Sequence, residues 1–140
     1  MRGVRRRHLG CEEPGSNPSC LLCCLQSARA WAHWARIASH DEADVYADRA
    51  NIVKQGKTVK MWALFNYRAV QRRGEIAFLS HMTREEYDCD KERERTLYFS
   101  MYSDRMGEGL RVYSRSALDD WAPVARGSIV EKLWKIACGE

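Results

Sequence analysis

Ser128-Ile-Val-Glu-Lys-Leu-Trp-Lys-Ile-Ala-Cys138 decides how the rest of the chain must be arranged. Ser128 followed three residues later by Glu131 reads as a capping box, in which each side chain satisfies a backbone N–H that the first helical turn leaves unpaired. Ile129, Leu133, Ile136 and Ala137 recur at three- and four-residue steps, Val130 and Trp134 widen that face, and Lys132 and Lys135 fall outside it. The spacing predicts a short amphipathic helix whose apolar side presses on something upstream. Glu86-Tyr-Asp-Cys89 is the expected contact, because Cys89 is the only cysteine besides Cys138 after residue 40. Two isolated cysteines make one bridge or none. A bridge would staple the helix to a sheet and, closing a loop of roughly 50 residues, would stabilise by about 4 kcal/mol at most. Two buried, unrelated thiols are the other reading.

Upstream of the helix the chain reads as strands. Thr58-Val-Lys-Met-Trp-Ala-Leu-Phe-Asn-Tyr67 puts Val59, Met61, Ala63, Phe65 and Tyr67 on one face and Lys60, Trp62, Leu64 and Asn66 on the other. Neither face is fully polar, which makes this a central strand. Trp34–Ala38 and Ala43–Ala47 are short strands before it, and Gly56 supplies the positive φ of a tight hairpin. Arg68–Glu75 reads as a polar connection, Ile76–Tyr87 as the next strand, and Asp88–Glu94 as a solvated charged turn. Arg95–Tyr102 alternates Leu97, Phe99 and Met101 against Thr96, Tyr98, Ser100 and Tyr102, and Leu110–Ser114 is the last strand. With sequence neighbours paired, the expectation is an α+β fold: an antiparallel meander of about six strands, a C-terminal helix packed on it and one disulfide.

At 140 residues the length suits one domain, placed at residues 33–140. The net charge of +4 is unevenly spread, because residues 1–32 hold five arginines against two glutamates and leave the remainder nearly neutral. A nucleic-acid role based on bulk charge loses its support. Residues 1–32 read as an atypical or degenerate signal or leader segment with no fold of its own. Ala28-Arg-Ala30 and Ala30-Trp-Ala32 offer small residues at cleavage-site spacing, although the apolar run Cys20–Leu25 is short. Cys20-x-x-Cys23 is half a zinc site without a second pair, so no metal and no cofactor is expected. Leu21-Leu-Cys-Cys24 is close to a lipoprotein box, which leaves a lipid anchor open, and no stretch approaches the ~20 apolar residues that span a bilayer.

No catalytic constellation is visible. His33, His40 and His81 are isolated, and Met106-Gly-Glu-Gly109 lacks the lysine and following helix of a phosphate loop. Arg72, Arg73, Arg84, Arg93 and Arg95 bracket the strand that ends at Cys89 and form a candidate patch for acidic proteins, with pairing to nearby carboxylates as the plainer reading. Trp62, Tyr98 and Tyr102 lie on the less apolar strand faces, where they either pack across strands or anchor a partner.

The order Val45-Tyr-Ala-Asp48, Val59-Lys-Met-Trp-Ala-Leu64, Glu86-Tyr-Asp-Cys89, Arg95-Thr-Leu-Tyr98, Met106-Gly-Glu-Gly109, Val112-Tyr-Ser114, Trp121-Ala-Pro123 and Leu133-Trp-Lys-Ile-Ala-Cys138 resembles the surface-adhesin protein E family of Gram-negative bacteria. The resemblance covers residues 33–138. It implies a six-stranded antiparallel sheet with a C-terminal helix, a bridge carried onto Cys89 and Cys138, and an exported domain in the periplasm or at the cell surface. For the founding adhesins it also implies binding to host matrix or serum proteins. The expectation is thus an exported non-enzymatic binding domain with a protein partner. The alternative is a periplasmic envelope or small-ligand-binding domain of the same fold.

Overall fold

The computed structural model describes residues 33–116 and 118–140; the leader, zinc and lipid-anchor readings of residues 1–32 lie outside the described residues. The described chain forms β1 (Trp34–Ser39), β2 (Ala43–Asp48), β3 (Val53–Gln55), β4 (Thr58–Arg73), β5 (Ile76–Asp88), β6 (Arg93–Tyr102), β7 (Arg111–Ser116), β8 (Ala122–Pro123) and α1 (Ile129–Cys138). All pairings are antiparallel, and the sheet runs β1-β2-β4-β5-β6-β7, with β3 added to β4 and β8 to β6. The six-stranded path with its C-terminal helix is the expected fold. Strict neighbour pairing is not kept: β2 pairs with Ala63–Tyr67 of β4, whereas β3 pairs with Thr58–Lys60. One long strand therefore serves two short ones, and a turn of 3₁₀ helix at Arg49–Asn51 separates them.

The core lies between one sheet face and α1. Leu133, Trp134 and Ala137 pack on Val59, Met61, Ala63, Ala47 and Tyr87, the face that alternation in β4 assigned. Trp134 Nε1–H also donates to the Asp88 carbonyl at 3.3 Å, so the largest core side chain leaves no buried polar atom unpaired. Cys89 and Cys138 are bridged, with Cα atoms 5.7 Å apart, so the end of α1 is tied to the turn after β5. At the helix start, Ser128 Oγ accepts from the Glu131 N–H at 3.2 Å, as a cap should. The reciprocal bond differs from the expected box. Glu131 Oε2 accepts from Gly127 N–H at 2.6 Å, because Ser128 N–H and Oγ–H both donate to Ala125 O.

Three local readings need correction. Arg68–Glu75 is not a connection; β4 continues to Arg73, and Gln71–Arg73 pair with Ile76–Phe78 around a turn at Gly74. Neither β2 nor β6 reaches this arm, so polar residues suit both its faces. The run Asp88–Glu94 is not a solvated turn throughout, since Asp88 ends β5 buried and Arg93 and Glu94 begin β6. Finally, alternation fails at Leu97: Arg84 faces Tyr98, but Glu85 faces Thr96, so Leu97 is the extra residue of a bulge. A one-residue slip moves side chains to the other face. Thr96 and Glu94 therefore join Glu85 and Tyr87 on the helix side, while Tyr98 remains on the other.

Candidate functional site

The sheet face turned away from α1 carries most of the residues that sequence pattern singled out. Register places Lys60 and Trp62 of β4, Arg84 and Glu86 of β5, and Tyr98, Arg95 and Arg93 of β6 on this face. One end of it is covered by the connection between β6 and β7. There Ser80 Oγ–H donates to Asp104 O at 2.6 Å, Gly107 N–H donates to Ser80 Oγ at 2.9 Å, and Met106 N–H donates to Asn66 Oδ1 at 2.8 Å. Gly107 has φ +73°, and a Cβ there would meet Met82 Sδ at 2.9 Å, so both conformation and close approach call for glycine. The Met106–Gly109 stretch thus works as a lid on the sheet, packing over Met82 and Leu64.

Beyond that lid, aromatic rings and arginines alternate. Trp62 and Tyr98 meet edge to face with centroids 5.6 Å apart, and the Arg84 guanidinium lies 5.9 Å from the Trp62 centroid. Arg93 and Arg95 lie 4.6 and 4.3 Å from the Trp121 centroid, close enough for cation–π attraction. Each guanidinium is also anchored by a carboxylate: Arg95 Nη2 to Glu86 Oε2 at 2.6 Å, and Arg93 Nη2 to Asp88 Oδ2 at 3.0 Å. Burial pushes the Asp88 carboxyl up, but the Lys91 N–H, the Arg93 guanidinium and the Asp90 N–H outweigh it and hold the group below its ordinary value. Lys60, Arg84 and Arg111 make no ion pair among the described residues. The surface is therefore basic, half-buried and held in place by its own packing.

The five arginines do not share one edge. Arg72 and Arg73 sit on the β4–β5 arm opposite Ala77 and Ile76, with Arg73 5.1 Å from the Tyr113 ring, whereas Arg95 faces Glu86 ten residues farther along β5. Ten strand residues span about 33 Å. Arg84, Arg93 and Arg95 share the helix-free face. Carboxylate pairing holds for Arg93 and Arg95 and not for Arg84, and Trp62 with Tyr98 shows the cross-strand packing.

Sequence reading passed over a second group, on the helix face. His81 stacks on Phe65 at 4.4 Å, lies 5.0 Å from Phe99, and shares a 3.1 Å hydrogen bond between its Nδ1 and the Tyr67 hydroxyl. Burial lowers its pKa to about 4, so the ring is neutral. Four residues on, Glu85 is buried at 7% exposure. Its Oε1 accepts from Thr96 Oγ1–H at 3.2 Å, and its Oε2 has no hydrogen-bond partner among the described residues. Burial first, then the Glu94 charge, pushes this carboxyl up to about 7. Counting back from core Tyr87 in steps of two reaches Glu85, Thr83 and His81, which is the signal that would have found them. Among the described residues no group of three or more His, Cys, Asp or Glu could hold a metal ion.

The sequence model of a family described as Surface-adhesin protein E matches residues 34–139. No curated protein matches the chain. Solved structures of Haemophilus influenzae protein E are similar in fold. Crystal form II has a TM-score of 0.61 at 14% identity, covering 77% of this chain and 88% of that one. The selenomethionine form has 0.59 at 15% identity, covering 77% and 87%. Protein E from non-typeable Haemophilus influenzae has 0.58 at 15% identity, covering 77% and 76%.

Proposed function

Because this chain belongs to the surface-adhesin protein E family, and is with it a non-enzymatic domain, we propose that it is exported and binds an acidic segment of another protein on the helix-free sheet face. The observation that carries the reading is the Trp62–Tyr98–Arg84 cluster, where rings and an unpaired guanidinium are held half-exposed beside Lys60 and Arg111. Aromatic and arginine side chains fixed in advance lose little entropy on binding and dominate the energetics of protein contacts. The Cys89–Cys138 bridge supports export to the periplasm or cell surface, where disulfides persist. Host matrix and serum proteins are the first partners to try.

The test is capture of the oxidised full chain on immobilised matrix and serum proteins, with Arg84→Glu and Trp62→Ala beside the wild type. The expected result is salt-sensitive capture that falls at least tenfold in Arg84→Glu. Capture indifferent to both substitutions would overturn the assignment of this face. Intact mass of the envelope-fraction protein, with Cys89 and Cys138 resistant to alkylation until reduced, tests export; free thiols at both would overturn it.

A further inference from the structure

Four carboxylates are buried in the described chain: Asp48, Glu85, Glu86 and Asp88. Asp48 accepts from Ala50 N–H and the Asn51 amide, Glu86 is paired with Arg95, and Asp88 with Arg93. Glu85 alone has neither a cation nor a partner for its second oxygen. A buried carboxyl in that position needs a proton or a positive charge. Beside it is a cavity of about 140 Å³ between β5, β6 and α1. Its polar lining is Glu85, Glu94, Thr83 and Thr96, its ring walls include Phe65 and His81, and α1 contributes only Val130 and Leu133. Among the described residues no lysine or arginine lines it. In a chain of net charge +4, this is an acidic and aromatic recess without a counter-charge.

We propose that this cavity binds a small primary alkylammonium group, whose nitrogen donates to Glu85 Oε2 and the Glu94 carboxylate while its stem lies against Phe65, His81 and Leu133. Two carboxylates supply the charge complement, and a neutral imidazole and a phenyl ring add the electron-rich faces that favour cations. A metal ion fits less well, for want of a third ligating side chain. Binding exchanges one cation for another: the Glu85 proton leaves to solvent as the ammonium arrives. The groups that face the exchange are Glu94 on β6 and His81 and Tyr87 on β5, and α1 presents none that titrates.

Titration of the oxidised full chain with n-butylammonium chloride, followed by NMR at Phe65, His81 and Thr96, tests this. Saturable shifts are expected at pH 8, with apparent affinity about tenfold weaker at pH 6, because proton release then opposes binding. Equal concentrations of 1-butanol or butyrate should leave these signals unmoved. Glu85→Gln should weaken binding at least tenfold, and Glu94→Gln serves as second variant should the first not fold. A Gly-Lys-Gly peptide that binds as well as butylammonium would make the source a lysine side chain; one that does not would make it a free amine. No saturable shift, affinity independent of pH in the wild type, or equal binding of 1-butanol would overturn the proposal. None of these residues belongs to the helix-free face, so loss of partner capture there leaves this result standing.

Discussion

Glu85 and Glu86 are adjacent, chemically identical and almost equally buried, yet the two faces of the sheet treat them differently. Glu86 points to the helix-free side and meets Arg95 at 2.6 Å. Glu85 points under α1, meets a threonine hydroxyl and another carboxyl, and is driven toward its protonated form. The buried carboxylates of the open face are balanced by pairing, because arginine stems can lie along β6 and over Trp121. At Glu85 the helix supplies only Val130 and Leu133, so the balance must come from a proton or a guest.

The largest effect expected from breaking this contrast comes from removing the helix's grip. Trp134→Ala deletes the side chain that fills the core and caps the Asp88 carbonyl, and should cost about 3–5 kcal/mol in urea unfolding. A loss under 1 kcal/mol would mean that the bridge alone holds α1 in place. The next effect is in pH. Between pH 4.5 and 6.5 the unfolded chain holds the His81 proton and not that of Glu85, whereas the folded chain holds the Glu85 proton and not that of His81. The proton counts are equal, so these two groups cancel in the wild type. In Glu85→Gln only His81 remains, the unfolded state binds more protons, and stability should rise by about 2 kcal/mol across that window. In His81→Phe only Glu85 remains, the folded state binds more protons, and stability should fall by a similar amount. Urea unfolding at three pH values checks both, and parallel profiles for the two variants would refute the cancellation. The smallest effect belongs to the open face. Arg95→Ala leaves Glu86 without its partner and should cost about 1–2 kcal/mol, the partly exposed guanidinium limiting the loss. Arg84→Ala, with no ion pair to break, should stay within about 0.5 kcal/mol by the same measurement.

Much of the frame was legible before any coordinates. Alternation in Thr58–Tyr67 put Met61 and Ala63 on one face and Trp62 and Lys60 on the other, and the structure packs the first of these under α1. The helix was legible from Ile129, Leu133 and Ala137, and its staple from the scarcity of cysteine after residue 40. The arginine patch was legible only in part, because residues close in sequence around a long hairpin finish about 33 Å apart. The Glu85 recess was legible on its β5 side alone, where steps of two back from Tyr87 reach Glu85 and His81. It depends on the bulge at Leu97, which turns Thr96 and Glu94 inward, and nothing local in Arg95-Thr-Leu-Tyr98 marks that position.

The sequence by itself determined the period of the helix, the division of β4 into two faces and the pair of cysteines able to close the fold, since these follow from side-chain order at fixed backbone spacing. Only the tertiary structure decided which charges found partners. Pairing depends on register between strands, and a single extra residue in β6 put Arg95 beside Glu86 on one face and left Glu85 beside Glu94 on the other.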